Sequence, residues 1–296
     1  MKAAVIGLGS MGWGAAVSLL RAGIDTTGCD ISEEVAARFR DAGGGFAATP
    51  AEAAKDKDVI LVFVVNAQQA RSVLFGKTGA VAEAELGCVF VLCPTMSPAE
   101  SEKISGDLVA AGMRVIDCPV SGGAAKAESG ELTLIASGAN EAFEAAAPAL
   151  EAISSKVFRL GETPGTGAKL KMINQHLAGI HIAAMAEALV LASKEELDLE
   201  VVYDVITQSA GNSWMFENRA PQVLKGDYAP LSAVDIFVKD LGIVTEAATN
   251  NEKPVDVPLA RVALELFTQT SQAGMGREAD AAVAKILAGR SDVKLP

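Results

Sequence analysis

Lys171, Asn174 and Gln175 stand at i, i+3 and i+4. On a helix those spacings bring an ammonium and two carboxamides along one face. A lysine placed so can polarise or protonate an alkoxide, and Asn174 can orient the same oxygen or the lysine itself. Proton exchange near neutral pH further requires that the ammonium be desolvated or otherwise lowered in pKa. The competing account of this segment alone is a wet polar helix face. Two other groups alter that balance. Ser121-Gly122-Gly123 offers a hydroxyl and successive accessible amides for a carboxylate, at a point where a sheet segment ends. Lys239-Asp240 supplies a lysine able to reach cofactor or substrate and a carboxylate able to hold its ammonium, with a surface ion pair as the alternative.

A phosphate-binding turn lies at the start of the chain. Gly7-Leu8-Gly9-Ser10-Met11-Gly12 is a GxGxxG motif between an apolar run and an alanine- and leucine-rich stretch. Gly7 permits a tight turn, Gly9 removes a side chain that would obstruct a pyrophosphate, and Gly12 lets the helix approach the sheet. The helix start adds unpaired amides and a favourable dipole. Asp30 follows about 20 residues later, at a strand end, where a carboxylate binds ribose hydroxyls and repels the phosphate of NADP. NAD is therefore the expected cofactor. FAD uses a similar turn, but a small lysine-containing site suits nicotinamide chemistry better.

Composition bounds the remaining possibilities. The 296 residues are 50% hydrophobic and carry a net charge of -12, which disfavours attraction to nucleic acid and a disordered chain. Cys29, Cys88, Cys93 and Cys118 form no CxxC pair and read as small core residues of a reducing compartment. His176 and His181, without clustered carboxylates, make a poor metal site, so no metal is expected. A first strand starting almost at Met1 leaves no room for a leader, and the apolar stretches read as too short and broken to span a membrane. The expected location is the cytoplasm.

These groups need a frame to hold them. Apolar runs at 3–8, 58–64 and 88–92, with a further strand at 25–30, predict parallel strands covered on both faces. Later strands are expected at 113–117 and 132–136, and helices at 11–20 and 140–150. Thr49-Pro50-Ala51-Glu52 and Ser97-Pro98-Ala99-Glu100 predict helix starts, each with a capping hydroxyl, proline at the first position and a glutamate returning a bond to the cap. Pro94-Thr95-Met96 lies between a strand end and the second of these, where α/β sheets place ligands. A long helix is predicted over 168–193, with Leu170, Ile173, Leu177, Ile180 and Ala184 as its buried stripe. Further helices at 200–209, 234–249, 259–271 and 279–287 complete a helical region. The expected architecture is thus an α/β, Rossmann-like doubly wound sheet over 1–163, joined by the long helix to an all-helical domain over 164–296.

The blocks, taken together, resemble the β-hydroxyacid dehydrogenase family, also called the 3-hydroxyisobutyrate dehydrogenase family. The nucleotide turn carries the likeness first. It continues through Asp117-Cys118-Pro119-Val120-Ser121-Gly122-Gly123 with Gly130-Glu131-Leu132-Thr133, through Gly165-Thr166-Gly167-Ala168-Lys169-Leu170-Lys171-Met172-Ile173-Asn174, and through Lys239-Asp240-Leu241-Gly242, in the family order. The resemblance implies a catalytic Lys171 with Asn174 in its network, substrate anchors at Ser121, Gly122 and Gly123, Thr95 and Lys239 near the cofactor, and assembly as homodimers or homotetramers. Gln175 departs from the family, which often has a second asparagine there, so Asn174 is assigned more firmly. Blocks 209–219 and 230–242 resemble family members that oxidise C2 of a four-carbon polyhydroxy acid. That likeness implies Asn212 on an additional hydroxyl, with Trp214 and Phe237 shaping the pocket; ordinary core packing is the alternative for both aromatics. Other substrates open at this point are 3-hydroxyisobutyrate and glycerate or tartronate semialdehyde, and a nucleotide-binding sensor without turnover is a different class.

Overall fold

A computed structural model describes residues 1–250 and 253–296. Among these, a nine-stranded sheet is built from β1 (Lys2–Ile6), β2 (Asp25–Cys29), β3 (Gly45–Phe46), β4 (Val59–Val62), β5 (Val89–Leu92), β6 (Arg114–Asp117), β7 (Val120–Ser121), β8 (Leu132–Gly138) and β9 (Ser154–Arg159). The strands β3-β2-β1-β4-β5-β6 run parallel in that order. Beyond them β8 pairs antiparallel with β6 and β7, and parallel with β9. The order reverses between β1 and β4, the position at which doubly wound sheets bind nucleotides.

Continuous apolar strands follow from burial on both faces. On one side Ala3, Val5, Leu61 and Val91 pack against Ala15, Ala16 and Leu19 of α1 (Ser10–Arg21). On the other, Ala4, Ile6, Val62 and Phe90 form a second core. The intervening helices are α2 (Glu33–Asp41), α3 (Pro50–Ala54), α4 (Ala67–Phe75), α5 (Pro98–Ala110), α6 (Gly123–Ser129) and α7 (Asn140–Ile153). Thr49 and Ser97 cap α3 and α5 by accepting from the amides of Glu52 and Glu100, with proline in the first turn of each. The reciprocal bonds differ from expectation: the Glu52 carboxylate accepts from Ala48, one residue before the cap, and Glu100 instead pairs with Arg71. A nearby guanidinium outcompetes a single amide for that carboxylate.

The helix α8 (Thr166–Lys194) runs unbroken for 29 residues. Contacts divide the chain within it, into Met1–Lys171 and Met172–Pro296. The second unit adds α9 (Leu199–Thr207), α10 (Trp214–Leu224), α11 (Val234–Thr249), α12 (Pro258–Thr270) and α13 (Val283–Ser291). Its core joins Ile182, Met185 and Leu189 to Phe216, Leu241 and Phe267. Gly179 lets α8 approach α11 closely, since a Cβ there would lie 2.9 Å from Leu241 side-chain atoms and force that side chain to shift. Arg219 and the fully buried Asp280 form an ion pair at 2.7 Å that ties α10 to the turn before α13.

Two expectations about α8 are corrected. Leu170, Ile173 and Leu177 are 44%, 51% and 49% exposed, and Ala184 is exposed too, so the predicted stripe faces outward over most of its length. The buried face instead carries Lys171, Gln175, Ala178, Ile182, Met185 and Leu189. Periodicity alone groups residues on a face without saying which face the rest of the fold covers. The helix is also long and apolar enough, by length and composition, to cross a membrane. Its buried face is nonetheless part of the helical core just described.

Candidate active site

The glycine turn joins β1 to α1, and each glycine has a separate physical task. Gly7 has φ +91°, and a Cβ there would meet the carbonyl oxygen of Phe63 at 2.8 Å. At Gly12 a Cβ would sit 1.9 Å from the Gly7 oxygen, which only glycine tolerates. Gly9 differs, since nothing lies within 4 Å of where its Cβ would stand. That open position beside the start of α1, with no acidic residue in the first turn, fits a pyrophosphate held by the amides of Ser10, Met11 and Gly12.

Asp30 does more than the sequence suggested. One carboxylate oxygen accepts from the Leu8 amide at 2.7 Å and the other from Ser32 at 3.0 Å. The residue expected to hold ribose hydroxyls therefore also fixes the glycine turn, and each oxygen retains acceptor capacity. Asp30→Ala is expected to raise KM for NAD roughly 10- to 100-fold, from the loss of charge-assisted bonds. Steady-state kinetics at saturating acid check this, and an unchanged KM for NAD would remove Asp30 from the cofactor site. Thr95 is partly buried between β5 and α5, on the same sheet edge as the ends of β1 and β4.

Ser121 ends β7, and the chain then turns through two glycines at φ +136° (Gly122) and +77° (Gly123) into α6. Successive left-handed residues strain any other side chain. The turn is braced by the nucleotide helix. A Cβ at Gly14 would meet the Ala127 backbone at 2.5 Å, Ser18 Oγ donates to the carbonyls of Ala127 and Glu128, and Arg21 donates to Glu128 at 2.6 Å. The sequence reading missed this brace, whose only visible signal was the small residues along α1.

It also missed the role of Asp117. This fully buried carboxylate closes β6 four residues before Ser121 and accepts from four donors. They are the Ser101 hydroxyl at 2.8 Å, the Ser137 hydroxyl at 3.3 Å, and the amides of Gly165 and Ala168, each at 2.9 Å. Burial pushes its pKa upward, opposed by those four hydrogen bonds. Asp117 is thus a remote cap for α8, bound to amides that a helix cannot satisfy internally. Gly167 seals the junction, since a Cβ would lie 2.5 Å from the Ile135 oxygen and 2.8 Å from that of Asp117. Lys171 follows Ala168 by three residues and is only 7% exposed, which removes the wet-face account of this segment.

Within the helical unit, Asn174 donates to Gln175 at 2.9 Å, Gln175 donates to Asp240, and Asp240 pairs with Lys239. Lys239 and Asp240 are therefore not the surface pair of the alternative account but part of a continuous network in which Asp240 and Gln175 are buried. Asn212 stands apart from it. Its amide donates to Thr207 and Glu217, bracing the turn between α9 and α10. Trp214 begins α10 and is half exposed, whereas Phe237 is buried and stacks on Phe267 at 5.2 Å, which is core packing. All four cysteines are buried and unpaired. Burial raises the Cys29 thiol to about 11 and Cys88 to about 12. Among the described residues no cluster of His, Cys, Asp or Glu could hold a metal ion.

Residues 2–161 match the model of the NAD binding domain of 6-phosphogluconate dehydrogenase, and residues 165–287 match that described as NAD-binding of NADP-dependent 3-hydroxyisobutyrate dehydrogenase. The chain belongs to the 3-hydroxyisobutyrate dehydrogenase family. It is 52% identical, over 99% of its length and 97% of the relative's, to the L-threonate dehydrogenase of Cupriavidus necator. A crystal structure described as 3-hydroxyisobutyrate dehydrogenase from Salmonella typhimurium shares 47% identity with a TM-score of 0.91, covering 97% of this chain and 99% of that one. Psf3 in complex with NADP+ and 2-OPP shares 25% identity with a TM-score of 0.89, covering 96% and 99%. The family fold and a nicotinamide cofactor are thereby established, with the enzyme class of a hydroxyacid dehydrogenase.

Proposed function

We propose that the chain is an NAD-dependent L-threonate dehydrogenase that oxidises C2 of L-threonate to 2-oxo-L-threonate. The observation that carries the reaction is the placement of Lys171, buried on a helix whose first turn is clamped by Asp117 at the strand leading to Ser121. The substrate is supported by the likeness to the Cupriavidus necator enzyme. In this reading Ser121 Oγ and the amides of Gly122 and Gly123 hold the carboxylate. Lys171 Nζ takes the C2 hydroxyl proton, directly or through water, and returns it in the reverse direction. Asn174 orients the lysine. Lys239 and Thr95 contact the cofactor, and Asp30 selects NAD over NADP. The nicotinamide, when bound, supplies the two-electron acceptor. Excluding bulk water strengthens each of these interactions.

The test is a substrate panel with NAD, following NADH formation, of L-threonate, D-threonate, L-erythronate, D-erythronate, D-glycerate and 3-hydroxyisobutyrate. Highest kcat/KM for L-threonate is expected. A pocket that pairs the extra hydroxyls rejects analogues lacking them strongly. Highest kcat/KM for 3-hydroxyisobutyrate would replace the substrate, a second reading favoured by the description of the Salmonella structure. Ser121→Ala is expected to raise KM for the acid by roughly 10-fold, from one lost charge-assisted hydrogen bond, with binary NAD affinity unchanged. Equal KM values would return Ser121 to the status of a structural turn. Assembly as a homodimer or homotetramer in the cytoplasm completes the proposal. The apolar residues Leu170, Ile173 and Leu177 are a surface that pairing of copies would cover, and light scattering measures the state.

A further inference from the structure

Donor and acceptor types in the Asn174–Gln175–Asp240–Lys239 network admit one orientation. Asp240 is buried and paired with Lys239, so as a carboxylate it can only accept. Gln175 must then turn its Nε2 toward Asp240, which leaves Oε1 to meet Asn174. Asn174 must answer with Nδ2, and its own Oδ1 becomes the end of the amide turned away from Gln175. An unrestrained asparagine could present either end to a ligand at similar cost, because its two ends have nearly the same size and opposite polarity. Here the ionised pair on α11 sets the polarity through two intervening amides.

We propose that Gln175 is a positioning residue which relays the charge state of Asp240 to Asn174, so that residue 174 serves the reaction as a hydrogen-bond acceptor. An acceptor is what the Lys171 Nζ–H groups require, first to turn the amine lone pair toward the C2 hydroxyl, whose single proton goes to Nζ, and then to hold the ammonium that results. Both needs fall on the face that Asn174 shares with Lys171. This inference rests on the catalytic reading of that face. It assigns Gln175, the position at which the chain departs from the asparagine frequent in the family, a function that depends on its length: the side chain must span from the Asn174 amide to Asp240.

Two variants test the relay. Gln175→Met keeps the volume and removes both hydrogen bonds, and is expected to lower kcat at least 10-fold at every pH while changing KM for NAD less than twofold. Gln175→Glu can donate to Asp240 and accept from Asn174 only as the carboxylic acid. Its deficit relative to wild type is therefore expected to deepen as pH rises from about 6 to 9. The charged side chains in contact with this network are Asp240 and its partner Lys239 on α11, and the adjacent titratable residue on α8 within the helical unit is His176. Wild-type turnover by Gln175→Met, or equal pH-independent losses in the two variants, would overturn the relay and leave Gln175 a packing residue. The acid used is whichever the substrate panel selects, so failure of L-threonate alone does not bear on the relay. A second readout needs no turnover: the Asn174 Nδ2 protons, followed by NMR, should be protected from solvent exchange in wild type and lose that protection in Gln175→Met. Equal exchange in both proteins would also overturn it.

Discussion

Lys171→Ala lowers kcat on the preferred acid by roughly 100-fold or more while the protein stays folded and binds NAD, if the lysine is the acid and base of the reaction. The substitution removes both the exchangeable proton and the positive charge. Lys171→Arg separates those roles, because a guanidinium keeps the charge but does not release a proton near neutral pH. An arginine variant as impaired as alanine assigns proton transfer to Lys171, and substantial recovery by arginine assigns electrostatic stabilisation. Near-wild-type turnover by alanine, at saturating NAD and acid, would eliminate Lys171 as the principal catalyst. Attention would then move to Lys239, His176 or His181. The expected size of the effect follows from burial: at 7% exposure, water cannot readily replace the missing ammonium.

Asp117→Ala is expected to lower unfolding free energy by about 3 kcal/mol or more, because it strands two buried amides and two buried hydroxyls. Turnover should fall as well, since the start of the helix bearing Lys171 loses its cap. Asp117→Asn retains one acceptor oxygen and should fall between wild type and alanine in both measurements. Urea denaturation with parallel kinetics provides the check. An alanine variant within about 1 kcal/mol of wild type would show that the first turn of α8 is held by the close packing at Gly165 and Gly167 rather than by the carboxylate.

The most legible parts of the molecule were those whose constraints are local. Gly7, Gly9 and Gly12 announce a nucleotide turn because their spacing is complete within six residues, although the carbonyl that excludes a side chain at Gly7 belongs to the distant Phe63. The strand-and-helix alternation was equally readable, since burial on both faces leaves unbroken apolar runs in β4 and β5. The outward face of α8 was not, because Leu170, Ile173 and Leu177 keep a perfect helical period whether covered or bare. Asp117 was visible as an acidic strand end, but its four donors come from residues 101 to 168 and no spacing rule connects them. Gln175 looked like a weakened asparagine until Asp240, 65 residues away, supplied the group its extra methylene reaches. The helix α10 escaped for a further reason: Pro221 inside it and the glycine turn before it disguise the period.

The clamp at the start of α8 has a consequence for recombining this chain with its relatives. Family boundaries invite a crossover between residues 161 and 165, where one sequence model stops and the next begins. A chimera cut there would inherit Asp117, Ser101 and Ser137 from one parent and Gly165, Gly167 and Ala168 from the other. Those residues fit each other at distances below 3.4 Å, so they form one heritable block despite lying on both sides of the seam. Exchanging helical halves to transfer substrate preference should therefore succeed more often with the junction placed after Lys171, where the helix has left the sheet's carboxylate behind and its remaining turns answer to the helical core.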